Sequence, residues 1–244
     1  MTEAWFEQDP AAFVGLESQL RARYPTLHAF IVDGECRIRG TFAAVESDRY
    51  ALDIALPVNY PHAMPSVWET GSRISREIDR HVFDDGSLCL GAPLALWIQL
   101  GGDYSIERVI DGPLRSFLIG NSLVEEREPW PYGERAHGAA GLLEHLGELI
   151  GTSDPQGVGR FLIDLLDKKV RGHWLCPCGS GLIIRKCHRD GVGMLQKAPA
   201  RLLVPAVEAI AKHLEARRSF PLRTKWSTVD CPNLMRIAKE TQGG

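Results

Sequence analysis

The strongest constraint on how this chain folds is a cluster of potential metal ligands in its C-terminal third. Three cysteines and one histidine lie close together: Cys176, Cys178, Cys187 and His188. Three thiolates and one imidazole form a complete tetrahedral ligand set for zinc, and a site closed in this way is structural rather than catalytic. Gly179 and Gly181 would let the backbone turn back sharply, so that the second pair of ligands reaches the metal. The sequence therefore predicts a structural zinc site, against the alternative of unpaired cysteines in a loop.

Charge is distributed unevenly along the 244 residues. Residues 1–152 contain 12 Arg, no Lys and 23 acidic residues, a formal charge of −11, whereas residues 153–244 contain 16 basic and 8 acidic residues, a charge of +8. This asymmetry predicts two units with different partners. The basic tail, including residues 217–225, is typical of a solvated face or of a docking surface for an acidic partner, with nucleic-acid binding as the alternative. We expect no nucleic-acid partner, because the acidic half repels phosphate.

The N-terminal half shows a change of hydrophobic period. Asp9-Pro10 is typical of a helix start, and the apolar residues that follow predict an amphipathic helix over 10–22. Between residues 27 and 68, short alternating apolar runs are separated by turn sequences such as Asp33-Gly34-Glu35. This pattern indicates an antiparallel meander.

Helical spacing returns in the second half of the acidic region. One helix is predicted after Ser105, with a kink or break at Gly112-Pro113, and another over 142–150. The segment 151–157 is rich in turn-forming residues and is predicted to be a linker. The order of a helix, a sheet and further helices predicts an α+β fold.

A second candidate site is the region around Cys89. Cys89 lies in a short apolar segment after the turn sequence Asp84-Asp85-Gly86. A single cysteine between leucines is commonly a small buried hydrophobic residue. His81, however, lies eight residues upstream, and the turn would bring it back beside the thiol. A cysteine and a histidine together can form a thiolate or support acyl transfer, so this pair is the candidate catalytic centre.

The metal-ligand segment, about residues 170–192, resembles the SEC-C motif, a zinc knuckle appended to many bacterial proteins. The resemblance implies zinc and docking to another macromolecule, with no specific partner.

Several separate features around Cys89 resemble ubiquitin-conjugating (E2) enzymes. Tyr60-Pro61, followed by Pro65 and Val67, matches the E2 strand-to-loop signature, and the segment 86–90 matches the one that carries the E2 active-site cysteine. Trp97 lies where E2 enzymes have a tryptophan. The flanking helices and the meander also follow E2 order.

This resemblance implies an E2-like conjugating domain over 8–152, followed by a helical region over 153–244 that contains the zinc motif. Cys89 would carry a ubiquitin-like modifier as a thioester, received from an E1-like activating enzyme, and transfer it to an amine of a protein target. Neither the transthiolation nor the transfer needs an organic cofactor. Bacterial E2-like proteins commonly belong to anti-phage defence or related modification operons. The alternative is a non-catalytic E2-like binding module with the zinc knuckle as an adaptor.

His81 marks a departure from the E2 pattern. It occupies the place of the asparagine in the His-Pro-Asn tripeptide of E2 enzymes, which here reads Asp79-Arg80-His81. A histidine N–H can donate to an oxyanion, and a histidine can also act as a base towards the attacking amine. A purely structural role in the turn is the third interpretation.

Further expectations concern the surroundings of the site and the compartment. The absence of lysine before Lys168 would protect a reactive thioester from self-modification. Glu134 and His137 would reach the cleft or cap the third helix. The N-terminus lacks the pattern of a signal peptide, and no apolar run has membrane-spanning length, so a cytoplasmic protein without a membrane partner is expected.

Overall fold

A computed structural model describes residues 3–76, 80–130, 138–167 and 170–216. The elements are α1 (Trp5–Gln8), α2 (Pro10–Arg23), β1 (Leu27–Val32), β2 (Glu35–Val45), β3 (Asp48–Leu56), β4 (Ser66–Glu69), α3 (Pro93–Gln99), α4 (Ile106–Val109), α5 (Arg115–Glu125), α6 (Ala139–Ile150), α7 (Pro155–Asp167), α8 (Arg189–Lys197) and α9 (Ala200–Ala216). The fold is α+β, as the sequence predicts.

The four strands form one antiparallel sheet in the order β1-β2-β3-β4, which confirms the predicted meander. β2 and β3 pair over almost their whole length, from Cys36 opposite Leu56 to Val45 opposite Asp48. One face of the sheet is apolar because alternate residues of β2, including Cys36, Ile38 and Phe42, are buried. This face is the core of the first compact unit.

The first unit comprises, among the described residues, 3–91 and 103–130. α2 begins as predicted, since the Asp9 side chain accepts hydrogen bonds from the backbone N–H groups of Ala11 and Ala12. α4 is followed by a π-helical turn at Ile110–Leu114, where Gly112 has non-helical torsions. The predicted kink at Gly112-Pro113 is therefore confirmed, and α5 continues beyond it to pack on β2.

The second unit comprises residues 92–102 and the described residues from 138 onwards. α6 packs against α7, α8 and α9, and α3 packs against α9. This grouping differs from the predicted division at 152–153, because the apolar face of α6 is covered by the helices that follow it. The assignment of 8–152 as one E2-like domain stays a prediction.

The predicted linker is shorter than expected. α6 covers the predicted helix and ends at Gly151, which has a left-handed conformation. α7 already begins at Pro155, so 155–157 form its first turn rather than a linker. Proline is well tolerated at the first position of a helix, which explains why this turn sequence does not extend the connection.

No helix in the described ranges is both long enough and apolar enough to cross a membrane.

Candidate functional site

The four predicted metal ligands come together in the second unit. The ligand atoms of Cys176, Cys178, Cys187 and His188 all lie within 4.8 Å of one another. The Cys178 and Cys187 sulfurs are 3.5 Å apart, and the His188 Nδ1 atom lies 3.4 Å from the Cys176 sulfur and 3.3 Å from that of Cys187. Such a set of three sulfurs and one nitrogen can hold a four-coordinate metal ion.

Local backbone structure explains why the ligands converge. Residues 172–176 and 182–185 form a short antiparallel ribbon, in which the Cys176 N–H donates to the Leu182 carbonyl at 2.8 Å. The chain reverses through Gly179 and Gly181, whose φ angles of +78° and +75° favour glycine. A 3₁₀ turn at Ile184–Lys186 then leads directly into Cys187. We call residues 172–188 the knuckle.

The electrostatic environment favours a thiolate at one of the ligands. Hydrogen bonds from the Ser180 hydroxyl and backbone N–H lower the pKa of the Cys178 thiol to about 6. Burial instead raises the pKa of the Cys176 thiol. The surroundings therefore favour the thiolate that a metal ligand requires at Cys178 and disfavour it at Cys176.

The end of α6 lies against the imidazole of His188. A Cβ atom at Gly151 would lie 2.1 Å from Cε1 and 2.2 Å from Nε2 of this ring. A Cβ atom at Gly191, in α8, would likewise lie 2.1 Å from the backbone carbonyl oxygen of Leu149. The knuckle and α8 therefore pack directly on the C-terminal turn of α6, and this packing holds the His188 ring so that Nδ1 faces the three sulfurs. The sequence marks Gly151 only as a residue that ends a helix, and nothing in it indicates the contact with His188.

Cys89 and His81 are adjacent across a tight hairpin in the first unit, as the turn sequence predicts. The Cys89 N–H donates to the His81 carbonyl at 2.8 Å, and the Phe83 N–H donates to the Ser87 carbonyl at 2.8 Å. The hairpin is fixed to β4, because the Leu88 N–H donates to the Val67 carbonyl at 2.7 Å. A free, half-buried thiol at Cys89 thus lies on a segment held by the sheet.

The His81 backbone and ring are held by contacts that the sequence does not reveal. Its φ angle is +55°, a left-handed conformation, and its ring lies 5.0 Å from that of Trp130. The preceding residue, Arg80, donates from Nε to the Oδ1 atom of the fully buried Asn121 at 2.8 Å. Trp130 in turn fills the space above Gly120, where a Cβ atom would be 2.7 Å from the indole. Arg80, Asn121 and Trp130 therefore hold the segment at His81 in place.

Burial dominates the electrostatics of Cys89. Desolvation raises the pKa of its thiol above the ordinary value, and the nearby Gly91 backbone opposes this only in part. The pKa of the Cys36 thiol is raised more strongly, to about 12, because this residue is buried in the core of the same unit. Cys89 is thus protonated at neutral pH and becomes a thiolate only as the pH rises.

We expect the alkylation of Cys89 by iodoacetamide to accelerate about tenfold per pH unit between pH 7 and 9, because only the thiolate reacts. Peptide mass spectrometry of the folded protein measures the rate at this one thiol. The unfolded chain in denaturant is the control, and its Cys89 should reach a constant rate at lower pH. A rate for the folded protein that becomes constant at the same pH as in the unfolded chain, or at a lower one, would contradict the raised pKa.

Other predicted residues lie in the second unit or outside the described part of the chain. Trp97 is buried in α3, within the second unit, whereas Cys89 and His81 belong to the first. Glu134, His137 and Asp79 lie outside the described residues, as does the basic tail from residue 217.

Comparison with known proteins found no match among protein-family models, curated proteins or solved structures.

Proposed function

We propose that this protein is an E2-like conjugating enzyme that carries a ubiquitin-like modifier as a thioester on Cys89 and transfers it to an amine. The proposal rests chiefly on one observation. A free, half-buried cysteine lies beside His81 on a hairpin that is hydrogen-bonded to the last strand of a helix-and-meander unit. The order of α2, the four strands, the cysteine and α4 also matches the order that the E2 resemblance implies.

The proposed chemistry consists of two acyl transfers at one sulfur. The Cys89 thiolate attacks the thioester that links the modifier to the E1-like enzyme, and the thiol of the E1-like enzyme leaves. A target amine then attacks the Cys89 thioester, the carbon–sulfur bond breaks, and the Cys89 thiolate leaves and regains a proton. ATP is consumed only by the E1-like enzyme.

The composition of the first 152 residues supports this chemistry. Residues 1–152 contain 12 arginines and no lysine, whereas residues 153–244 contain 7 lysines among 16 basic residues. A lysine near Cys89 would compete with the target for the modifier. Arginine supplies positive charge without this competition, because its guanidinium stays protonated.

In this proposal the knuckle is a structural zinc site. With zinc–sulfur distances of about 2.3 Å and a zinc–nitrogen distance of about 2.0–2.1 Å, a tetrahedron has sulfur–sulfur edges of about 3.8 Å and sulfur–nitrogen edges of about 3.6 Å. The observed separations of 3.3 to 3.5 Å are close to these values. Four protein ligands leave no open position for substrate, so zinc would supply folding energy and no chemistry.

The direct test of the proposal is the formation of a thioester at Cys89. The purified chain is incubated with ATP and an extract of the source organism, and its intact mass is measured with and without thiol reductant. We expect a heavy adduct on the wild type that reductant removes. Cys89→Ala should carry no adduct, and Cys89→Ser should carry one that resists reductant, since an oxyester forms instead.

Cys36→Ala is the control for this test, because it removes a buried thiol of the same unit and leaves Cys89 in place. It should load as the wild type does. Absence of any adduct, in an extract shown to load another conjugating enzyme, would contradict the proposal.

The role of His81 can be separated from that of Cys89 in the transfer step. Loss of an oxyanion donor typically costs about 2.7–4 kcal/mol, so His81→Ala should slow discharge to an amine by about 10²–10³-fold while loading persists. Asparagine tolerates the left-handed backbone at this position and keeps an N–H donor but cannot act as a base. Rapid discharge by His81→Asn would assign a donor role, and slow discharge a base role. An unchanged discharge rate in His81→Ala would contradict both the donor role and the base role, and His81 would then have only a structural role in the turn.

A non-catalytic binding module, with the knuckle as adaptor, is the second candidate. It is favoured by one specific observation, the desolvated Cys89 thiol, which is protonated at neutral pH. In that case Cys89→Ala would leave partner binding unchanged, and no adduct would form on the wild type.

A further inference from the structure

A cleft of about 480 Å³ lies beside the knuckle in the second unit. One side of it is formed by Val170–Gly172 and the turn at Ile184 and Arg185, and the other by residues 189–197 at α8. Four cationic side chains line it: Arg171, Arg185, Arg189 and Lys197. We call it the basic cleft. The chemistry proposed for Cys89 does not use the basic cleft.

The charge of the basic cleft is not compensated by the protein. Its four cationic side chains are exposed, and none of them forms an ion pair within the described part of the chain. By contrast, Arg37 and Arg73 in the first unit are both paired with carboxylates. The only acidic residue of the lining is Asp190. Such a concentration of unpaired positive charge in a concave surface attracts anionic groups.

The floor of the basic cleft is aliphatic. Val170, Ile184 and Val192 are buried there, and the flexible side chain of Met194 is half-buried. A flexible thioether adapts to aliphatic side chains of different shape. The cleft therefore offers cations at its rim and an apolar surface between them.

We propose that the basic cleft binds an acidic peptide segment of a partner protein, with its carboxylates on the arginines and an aliphatic side chain on the floor. Guanidinium groups bind carboxylates through two parallel hydrogen bonds, which fits three arginines at the rim. Single-stranded nucleic acid is bound on aromatic side chains, and the lining contains none. Asp190 also repels a continuous chain of phosphates.

The metal centre positions this site. Arg185 lies two residues before Cys187, and Arg189 directly follows His188. Metal binding by the two ligands therefore fixes the backbone that carries two of the four cations. Binding of the acidic peptide should consequently require the metal-loaded protein, whether or not Cys89 carries a modifier.

The test measures the fluorescence anisotropy of a labelled octapeptide of Glu, Asp and two Leu with the full-length, metal-loaded chain. We expect affinity that falls as salt rises. Reversal of two rim charges, in Arg185→Glu combined with Arg189→Glu, should weaken binding by about tenfold or more. Lys186→Glu combined with Lys212→Glu is the matched control, because it reverses the same number of charges at two exposed lysines outside the lining. This control should bind as the wild type does, and metal content and circular dichroism verify that each variant is folded.

Three outcomes would overturn the proposal. Equal binding of a peptide with Ser in place of both Leu would show that the aliphatic floor is not used. Tighter binding of an oligonucleotide of equal charge would assign the surface to nucleic acid. An equal loss of affinity in the lysine double variant and in the arginine double variant would indicate a general charge effect rather than a site.

Discussion

Removal of the metal is expected to unfold residues 172–188 and to leave β1–β4 folded. In this reading zinc holds together a short knuckle whose backbone hydrogen bonds alone are too few to keep it folded, and structural zinc in small modules binds with about 10–16 kcal/mol. Within the described residues the sheet has its own core, in which Leu20, Ile38 and Leu52 are almost completely buried. The two regions should therefore respond differently to a chelator.

Hydrogen exchange with and without a chelator resolves this response along the chain. Amides of the knuckle should lose their protection, and those of β2 and β3 should keep it. α6 is the most informative helix, because its last turn packs on His188 and Gly191. We expect protection of α6 to fall near Ile150 and to persist in its first turns.

The matched variants are Cys176→Ser and Cys89→Ser, each of which replaces one sulfur by oxygen. Cys176→Ser removes a metal ligand. Loss of a residue that only hydrogen-bonds to a ligand typically weakens metal binding by about 10–100-fold, and the loss of a ligand itself should weaken zinc binding by more. Cys89→Ser should keep one equivalent of metal by elemental analysis. If the chelator melts the sheet and the knuckle in one cooperative transition, the sheet does not fold independently of the metal.

Gly151→Ala is expected to weaken metal binding although Gly151 is not a ligand. The added methyl group would overlap Cε1 and Nε2 of His188, so the ring must turn and Nδ1 must leave its place near the sulfurs. The left-handed backbone at +71° adds strain of about 1–2 kcal/mol, and overpacking adds about 1–3 kcal/mol. We expect the second unit to lose about 2–5 kcal/mol of its free energy of unfolding and the chain to bind zinc about 10–100-fold more weakly.

Gly34→Ala separates backbone strain from the contact with His188. Gly34 also has a left-handed conformation, at +75°, but a Cβ atom there would meet no atom within 4 Å. This variant should lose stability through strain alone and bind zinc as the wild type does. Competition with a zinc-binding dye measures the affinity of each variant. Equal zinc affinity in Gly151→Ala and the wild type would show that α6 does not restrain the His188 ring.

Local sequence signals predicted most of the elements. The cap at Asp9, the kink at Gly112-Pro113 and the meander all depend on residues within one turn or one strand pair of each other. α3 was not predicted, because its seven residues are too few for a clear hydrophobic period. The segment 155–157 forms the first turn of α7 rather than the predicted linker, since proline suits the first position of a helix as well as a loop.

The sequence by itself determined several local features: the four candidate metal ligands, the glycines of the knuckle, and the backbone pairing of Cys89 with His81 through the turn at 84–86. These features depend on short-range chain geometry, which spacing and turn chemistry encode directly. Only the tertiary structure decided that α6 belongs with the C-terminal helices, that Gly151 restrains His188, that Asn121 and Trp130 hold the segment at His81, and that four cations line one cleft. Each of these joins residues far apart in sequence, and such contacts are set by how whole helices and sheets pack rather than by any local pattern.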